Sequence, residues 1–224
     1  MSFRLGEYVK GDVFDYLPDI PDKTIDLIFT SCPDLSQTDF DKSTNGINSY
    51  QEFQKEAMKH FSRIVKEDGF VVICQTDRRV NGSILSNHMW YARCLEENGM
   101  TLKDYKIVVR NQVGKKDMFY FTFQHMLVYT YTGTIKRGGE WLRDMYVDKQ
   151  DKIGNQSVWS QDFCKFIVGH LTEEGDTVID PFAGVGPVLI AARSLNRKWW
   201  GAEITDEFYN PVLQVDETTN SFWP

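Results

Sequence analysis

The chain predicts an α/β fold: one sheet covered by helices on both faces. Three observations lead there. Short apolar runs rich in β-branched and aromatic residues alternate with helix-length amphipathic stretches. The runs are short and lack polar alternation, as strands buried on both faces do. With 224 residues, 42% hydrophobic and 25% charged, the chain has the size and composition of one globular domain rather than of a disordered chain.

The elements follow in order. Residues 8–10 are strand-like and run into Gly11-Asp12. Residues 25–29 (IDLIF) read as a buried strand. Residues 50–66 read as a helix, with Phe53, Ala57, Met58, Phe61 and Ile64 near helical spacing, and Asp68-Gly69 ends it. Residues 70–74 (FVVIC) are the next buried strand. Residues 86–98 form a helix that stops at Gly99, and 105–109 and 125–130 form strands. Ser160 is placed to cap a helix over 161–171. A strand at 177–179, a helix at 188–195 and a strand at 199–204 complete the set. The least regular stretch is 131–156, which carries Lys136, Arg137, Gly138, Gly139, Trp141, Arg143 and Tyr146. It is expected to be a small inserted recognition segment within a single domain of residues 1–224.

Composition narrows the function. No apolar stretch approaches the roughly 18 residues a membrane helix needs, and the amino terminus has no signal-peptide core. Cys32, Cys74, Cys94 and Cys164 are scattered, with no Cys-x-x-Cys pair. That argues against a zinc ribbon or a disulfide scaffold and suits a reducing cytoplasm. His60, His88, His125 and His170 show no ligand spacing, so no metal site is expected. The net charge of −7 means that any contact with a nucleic-acid backbone requires a local basic strip.

Residues 177–186 (TVIDPFAGVG) are a strand running into a glycine turn and then a helix. Glycines let a ligand approach the backbone, and the helix start presents free N–H groups. Glu203 ends the following strand, about where a ribose-binding acid falls after such a loop. Asp180, directly before the glycines, would repel a pyrophosphate but pairs with an ammonium. Leu189 stands where a dinucleotide fingerprint has its third glycine. The loop therefore favours S-adenosyl-L-methionine over NAD; the alternative is a plain tight turn capped by Asp180.

Residues 26–34 (DLIFTSCPD) resemble the catalytic strand and loop of the DNA methyltransferases that modify adenine N6 or cytosine N4. That family carries Asp/Asn/Ser-Pro-Pro-aromatic there. Gly11-Asp12, Leu17-Pro18-Asp19, residues 61–69 (FSRIVKEDG), residues 180–186 and Gly201-Ala202-Glu203-Ile204 are similar to further family segments, in the β-type order with the catalytic motif first. The resemblance implies a Rossmann-like S-adenosylmethionine-dependent fold with a mixed, mostly parallel sheet. It implies a tetrad of Ser31, Cys32, Pro33 and Asp34, and cofactor contacts from Asp12, Thr30, Asp180, Phe182, Ala183, Gly184, Gly186 and Glu203. The partner would be DNA, with the target base flipped out or single-stranded because a stacked base is out of reach. RNA is the less favoured acceptor.

An exocyclic amine is a poor nucleophile, so such a site works mainly by positioning. Ser31 Oγ and the Cys32 carbonyl would accept the amine's hydrogens, and Pro33 would stiffen the turn. Ser31 tilts the reading toward cytosine N4. Two departures stand out. Cys32 replaces the family's first proline, and Asp34 replaces an aromatic ring whose stacking is worth about 1–3 kcal/mol per base. Asp34 could instead bind an amine. Phe40, Tyr50 and residues 118–121 (MFYF) are possible replacements for the ring. Two alternatives follow: cytosine C5 methylation with Cys32 as nucleophile, or a catalytically weakened subunit that binds DNA.

Asp12 reads either as an adenine contact or as a turn former. Thr30 either lines the cofactor pocket or ends its strand. Gln156, Ser157 and Trp159 precede the helix leading to the cofactor loop, with Trp159 read as packing. Arg78, Arg79, Lys115, Lys116, Lys136, Arg137 and Arg143 are either the basic strip or solvated charge. A small recognition segment implies a short target or a homodimer that pools two surfaces.

Overall fold

The computed structural model describes residues 3–110, 122–135, 143–153 and 156–209. The first half holds β1 (Glu7–Lys10), β2 (Ile25–Thr30), α1 (Thr44–Ile64), β3 (Val65–Gln75), β4 (Arg78–Val80), β5 (Ser83–Leu85) and α2 (Asn87–Glu97). The second holds β6 (Thr101–Arg110), β7 (Phe123–Thr130), β8 (Met145–Asp148), β9 (Asp151–Ile153), β10 (Gln156–Val158), α3 (Gln161–Leu171), β11 (Thr177–Asp180), α4 (Pro187–Ser194) and β12 (Lys198–Glu203).

Among the described residues, eight strands form one sheet in the order β1-β12-β11-β2-β3-β7-β6-β8. From β1 to β3 every neighbour is parallel. β7 is antiparallel to both β3 and β6, and β8 returns parallel to β6. The sheet is thus mixed and mostly parallel, as expected.

Period-two alternation divides the core between the faces. Val71 and Ile73 of β3 and Leu127 and Tyr129 of β7 pack with Phe61 of α1 and Tyr91 of α2. Their neighbours Val72, Cys74, Met126 and Val128 pack with Phe163 of α3 and Val188 of α4. Helices therefore cover both faces. No helix among the described residues is long and apolar enough to cross a membrane.

Four local differences from the sequence reading have physical causes. α1 begins at Thr44, because the Ser43 hydroxyl caps the Gly46 N–H at 3.1 Å and overrides the weak propensity of Asn45-Gly46. β3 begins at Val65 and passes through Asp68-Gly69, with a register shift against β2. A Cβ at Gly69 would lie 2.8 Å from the Asp26 carbonyl oxygen, so the strands approach there only because the residue is glycine. The β4–β5 hairpin turns on Asn81 and Gly82, both at positive φ, a two-residue turn that the Asn-Gly pair encodes. Finally, the irregular stretch 131–156 supplies the sheet's edge strand β8 and then β9, which pairs with β10. Of its basic residues, Lys136 and Arg137 lie outside the described residues, as do Lys115, Lys116 and residues 118–121.

Candidate active site

The carboxyl ends of β1, β2, β3, β11 and β12 open onto one cleft, where ligands gather in open α/β sheets. Its volume is about 800 Å³, within the roughly 300–1,000 Å³ of small-molecule sites. Asp12, Ser31, Pro33, Asp34, Asp180, Phe182, Ala183, Gly184 and Glu203 all line it. Parallel pairing of β11 between β12 and β2 puts three of the candidate segments side by side.

One half of the cleft is the glycine turn. Asp180 ends β11 and is buried. It accepts hydrogen bonds from Thr30 Oγ1 (2.7 Å) and the Phe182 N–H (3.2 Å). Burial pushes its carboxyl up to about 7, and the nearby Glu203 adds to the rise. Thr30 is itself buried and bonds Asp180 from behind the cleft wall. Gly184 (φ +55°) and Gly186 (φ +82°) occupy the left-handed region that suits glycine. Gly186 caps α4 and does not line the cleft. The Gly184 N–H donates to Glu203 Oε2 at 3.1 Å, and Thr205 donates to Oε1 through both its N–H (2.8 Å) and its hydroxyl (2.6 Å). The buried Tyr8 hydroxyl donates to the Gly184 carbonyl. Asp12 caps the turn after it through the Phe14 N–H (3.0 Å) and also lines the cleft.

The missing third glycine has a structural answer. A Cβ at Gly201 of β12 would lie 2.5 Å from Leu189 Cδ1. The close helix–strand contact that a glycine on the helix would permit comes instead from a glycine on the strand.

The other half is held by side chains distant in sequence. Ser31 Oγ donates to Gln75 Oε1 at 3.0 Å, and Gln75 Nε2 donates to Asp34 Oδ1 at 2.9 Å. Arg78 pairs with Asp34 Oδ2. The Asp34 N–H donates to Gln37 Oε1 at 2.9 Å in a capping box around the turn at residues 35–37. Asp34 is therefore committed to the protein and is not an open amine-binding carboxylate. The Tyr50 hydroxyl donates to the Pro33 carbonyl at 3.0 Å, and its ring is fully buried, which removes it as a base-stacking surface. Phe40 does line the cleft, as do Phe53 and Phe182.

Cys32 is the correction. Its thiol is buried, absent from the cleft wall, hydrogen-bonded with Tyr91 and pushed far above its usual range by burial. Burial thus disfavours the thiolate that C5 chemistry would need.

Sequence reasoning missed several neighbours. Gln75 and Arg110 line the cleft, and Arg110 Nη2 donates to Thr76 Oγ1 at 3.4 Å. Arg78 also lines it, while Arg79 and Arg143 are exposed. Trp159 both packs, stacked on Phe29 at 5.0 Å, and lines the cleft. Behind Thr76, Asp77 meets His88 Nδ1 at 2.8 Å and His125 Nε2 at 3.7 Å, a trio with the proximity of metal ligands that sequence spacing did not show. The two imidazoles, however, stack at 3.7 Å and 10°. Their in-plane lone pairs do not converge on one ion without ring rotation. Burial, with His88 adjacent, pushes His125 down to about 4.

The family model for DNA methylase, of the N6/N4 type, matches residues 25–163 and 156–214. The chain belongs to this family. The methylase is 26% identical over 97% of its length to the Type II methyltransferase M.BglII of Bacillus subtilis, covering 72% of that protein. It is 25% identical over 84% of its length to the orphan methyltransferase M.BamHII of Bacillus amyloliquefaciens, covering 87% of it. Among solved structures it resembles the PvuII DNA methyltransferase (cytosine-N4-specific), with a TM-score of 0.79 at 17% identity over 98% of this chain and 89% of that one. The M1.HpyAVI–SAM complex gives 0.66 at 20% identity over 93% and 96%. At these identities the structural matches establish the methylase's fold.

Proposed function

We propose that this methylase transfers the methyl group of S-adenosyl-L-methionine to an exocyclic amine of a DNA base, cytosine N4 ahead of adenine N6. The observation that carries this reading is the shared cleft: Ser31 and the Asp180–Gly184 turn open onto the same space. The cofactor fits the residues present. A buried carboxylate with a raised pKa, bonded by only neutral donors in this structure, suits a cationic ammonium. Glu203 uses three of roughly four acceptor positions in protein hydrogen bonds, leaving room for a ribose hydroxyl. Asp12 and Phe182 flank the same space and would face the adenine. When bound, the cofactor supplies an electrophilic methyl group.

The chain's residues supply orientation. Ser31 Oγ and the Cys32 carbonyl accept the two amine hydrogens, which turns the nitrogen lone pair toward the donor. Pro33, tied by Tyr50, stiffens the turn that holds them. The base reaches this site extruded from a duplex or from a single strand. Arg110 in the cleft, with the exposed Arg79 and Arg143, would supply local positive charge on an acidic protein, Arg78 being paired with Asp34. Four free, buried cysteines fit a cytoplasmic setting, and kinship with Type II methyltransferases fits a site-specific modification enzyme. Ser31, and the cytosine-N4 specificity named for the PvuII enzyme, favour cytosine N4.

The test is mass spectrometry of nucleosides after unmodified DNA is incubated with protein and cofactor. N4-methylcytosine is expected, lost about 100-fold in Ser31→Ala. N6-methyladenine would move the target to adenine. No methylated nucleoside despite cofactor binding would leave a DNA-binding subunit instead.

A further inference from the structure

Ser31 is a hydroxyl, with one hydrogen to give and two lone pairs to offer. Left to rotate, it would serve an amine or a carbonyl equally well. Here its hydrogen points to Gln75 Oε1 at 3.0 Å. The orientation of that amide is not arbitrary. Gln75 Nε2 donates to Asp34 Oδ1 at 2.9 Å, so turning the amide over, which would let Nε2 donate to Ser31 and free its hydrogen, would set the amide oxygen against a carboxylate and lose the bond to Asp34. Asp34 is held in turn by Arg78 on its other oxygen and by the capping box of its own turn. Gln75 is 2% and Asp34 8% exposed, so water competes little for these bonds.

From this chain we infer that Gln75 is a positioning and specificity-determining residue: it commits Ser31 to accepting, so the pocket takes an amino base and rejects one with a carbonyl at that position. The lone pairs left on Ser31 face whatever enters the cleft. Cytosine N4 and adenine N6 bring hydrogens to them. The O4 of uracil or thymine and the O6 of hypoxanthine bring lone pairs, which repel. Discrimination built on unmatched buried polar groups is steep. The inference also gives Asp34 a purpose. The ring expected at that position is replaced by the anchor of this relay, and stacking falls to other rings of the cleft such as Phe40. All of this rests on Ser31 as the amine's acceptor.

The experiment uses the full chain, with Gln75→Met, which keeps the length but loses both polar ends, and Asp34→Asn, which keeps a capping oxygen but lets the amide turn either way. Three quantities are measured: turnover at saturating cofactor, cofactor affinity, and binding of a duplex containing the methylated base against one with its carbonyl counterpart. In Gln75→Met, turnover should fall roughly 10-fold or more. Cofactor affinity should stay within about twofold, and the amine-over-carbonyl preference should drop about fivefold or more, the worth of one hydrogen bond. Asp34→Asn should move the same way by less. Wild-type turnover and preference in Gln75→Met would overturn the inference. So would a loss of turnover with the preference intact, the mark of a merely structural residue. A wild type that methylates nothing overturns the parent reading instead.

Discussion

The two halves of the cleft are built by different means. Much of the cofactor half is local, although Thr30 and Tyr8 reach in from distant strands: Asp180 bonds the Phe182 N–H two residues on, and the Gly184 N–H reaches Glu203 nineteen residues on. Most of its geometry is backbone, set by two glycines at positive φ and the start of a helix. The acceptor half is held by a long-range relay: Ser31 to Gln75 and Asp34 to Arg78 each span forty-four residues, and these links are between side chains. A backbone-built site tolerates substitution around it but depends on its one buried charge. A side-chain relay can be cut at any link.

The largest expected effect therefore lies on Asp180. Asp180→Asn should weaken S-adenosyl-L-methionine binding roughly 100-fold or more, the cost of leaving a cation without its buried partner. Calorimetric titration measures it. A change below about threefold would move the ammonium elsewhere in the cleft. The same carboxyl sets a pH dependence. Its folded value of about 7 lies above the ordinary 3.8, so the protein without cofactor gains stability from the bound proton below pH 4 and loses it as pH rises through 7. Cofactor binding should have the opposite sign, because in the proposed reading the ammonium pairs with the ionised carboxylate. Affinity should rise by up to about tenfold per pH unit below 7, with proton release on binding. It should level off and then fall above about 8, where an α-ammonium deprotonates. In Asp180→Asn the rise below 7 should vanish.

Legibility in the sequence follows the same division. The cofactor half was readable because its residues lie within a contiguous motif and one following strand end. Ser31 and Pro33 were readable as a strand-end turn, but the office of Asp34 was not, since its partners Gln75 and Arg78 meet it only through strand pairing and the β4–β5 hairpin. The paired faces of the sheet were legible from the apolar runs. Strand β8 was not, because Met145 and Val147 are exposed at the sheet edge and leave no apolar run. Asn81-Gly82 was a plain hairpin signal that went unread. The Asp77–His88–His125 cluster joins the β3–β4 connection, α2 and β7 and has no local signature at all.

A smaller effect tests the exchange of glycine between helix and strand. Gly201→Ala places a methyl 2.5 Å from Leu189 Cδ1, and overpacking of this kind costs about 1–3 kcal/mol. Urea unfolding should show that loss. Leu189→Ala in the same chain should recover part of the Gly201→Ala penalty, so that the double mutant is more stable than the two single losses added. Strict additivity would mean that Leu189 does not set the spacing.

The smallest effect separates the backbone of Cys32 from its side chain. In the proposed reading the carbonyl accepts from the substrate amine, whereas the buried thiol is hydrogen-bonded with Tyr91 and burial disfavours its ionised form. Cys32→Ala should therefore retain turnover within roughly tenfold. Its main cost should be stability, about 1 kcal/mol for a small buried side chain. A thiol nucleophile would behave differently: its removal would abolish transfer, and the wild-type product would carry the methyl on carbon. Turnover of Cys32→Ala, read with the identity of the methylated nucleoside, thus distinguishes a tetrad that positions an amine from a cysteine that attacks a ring.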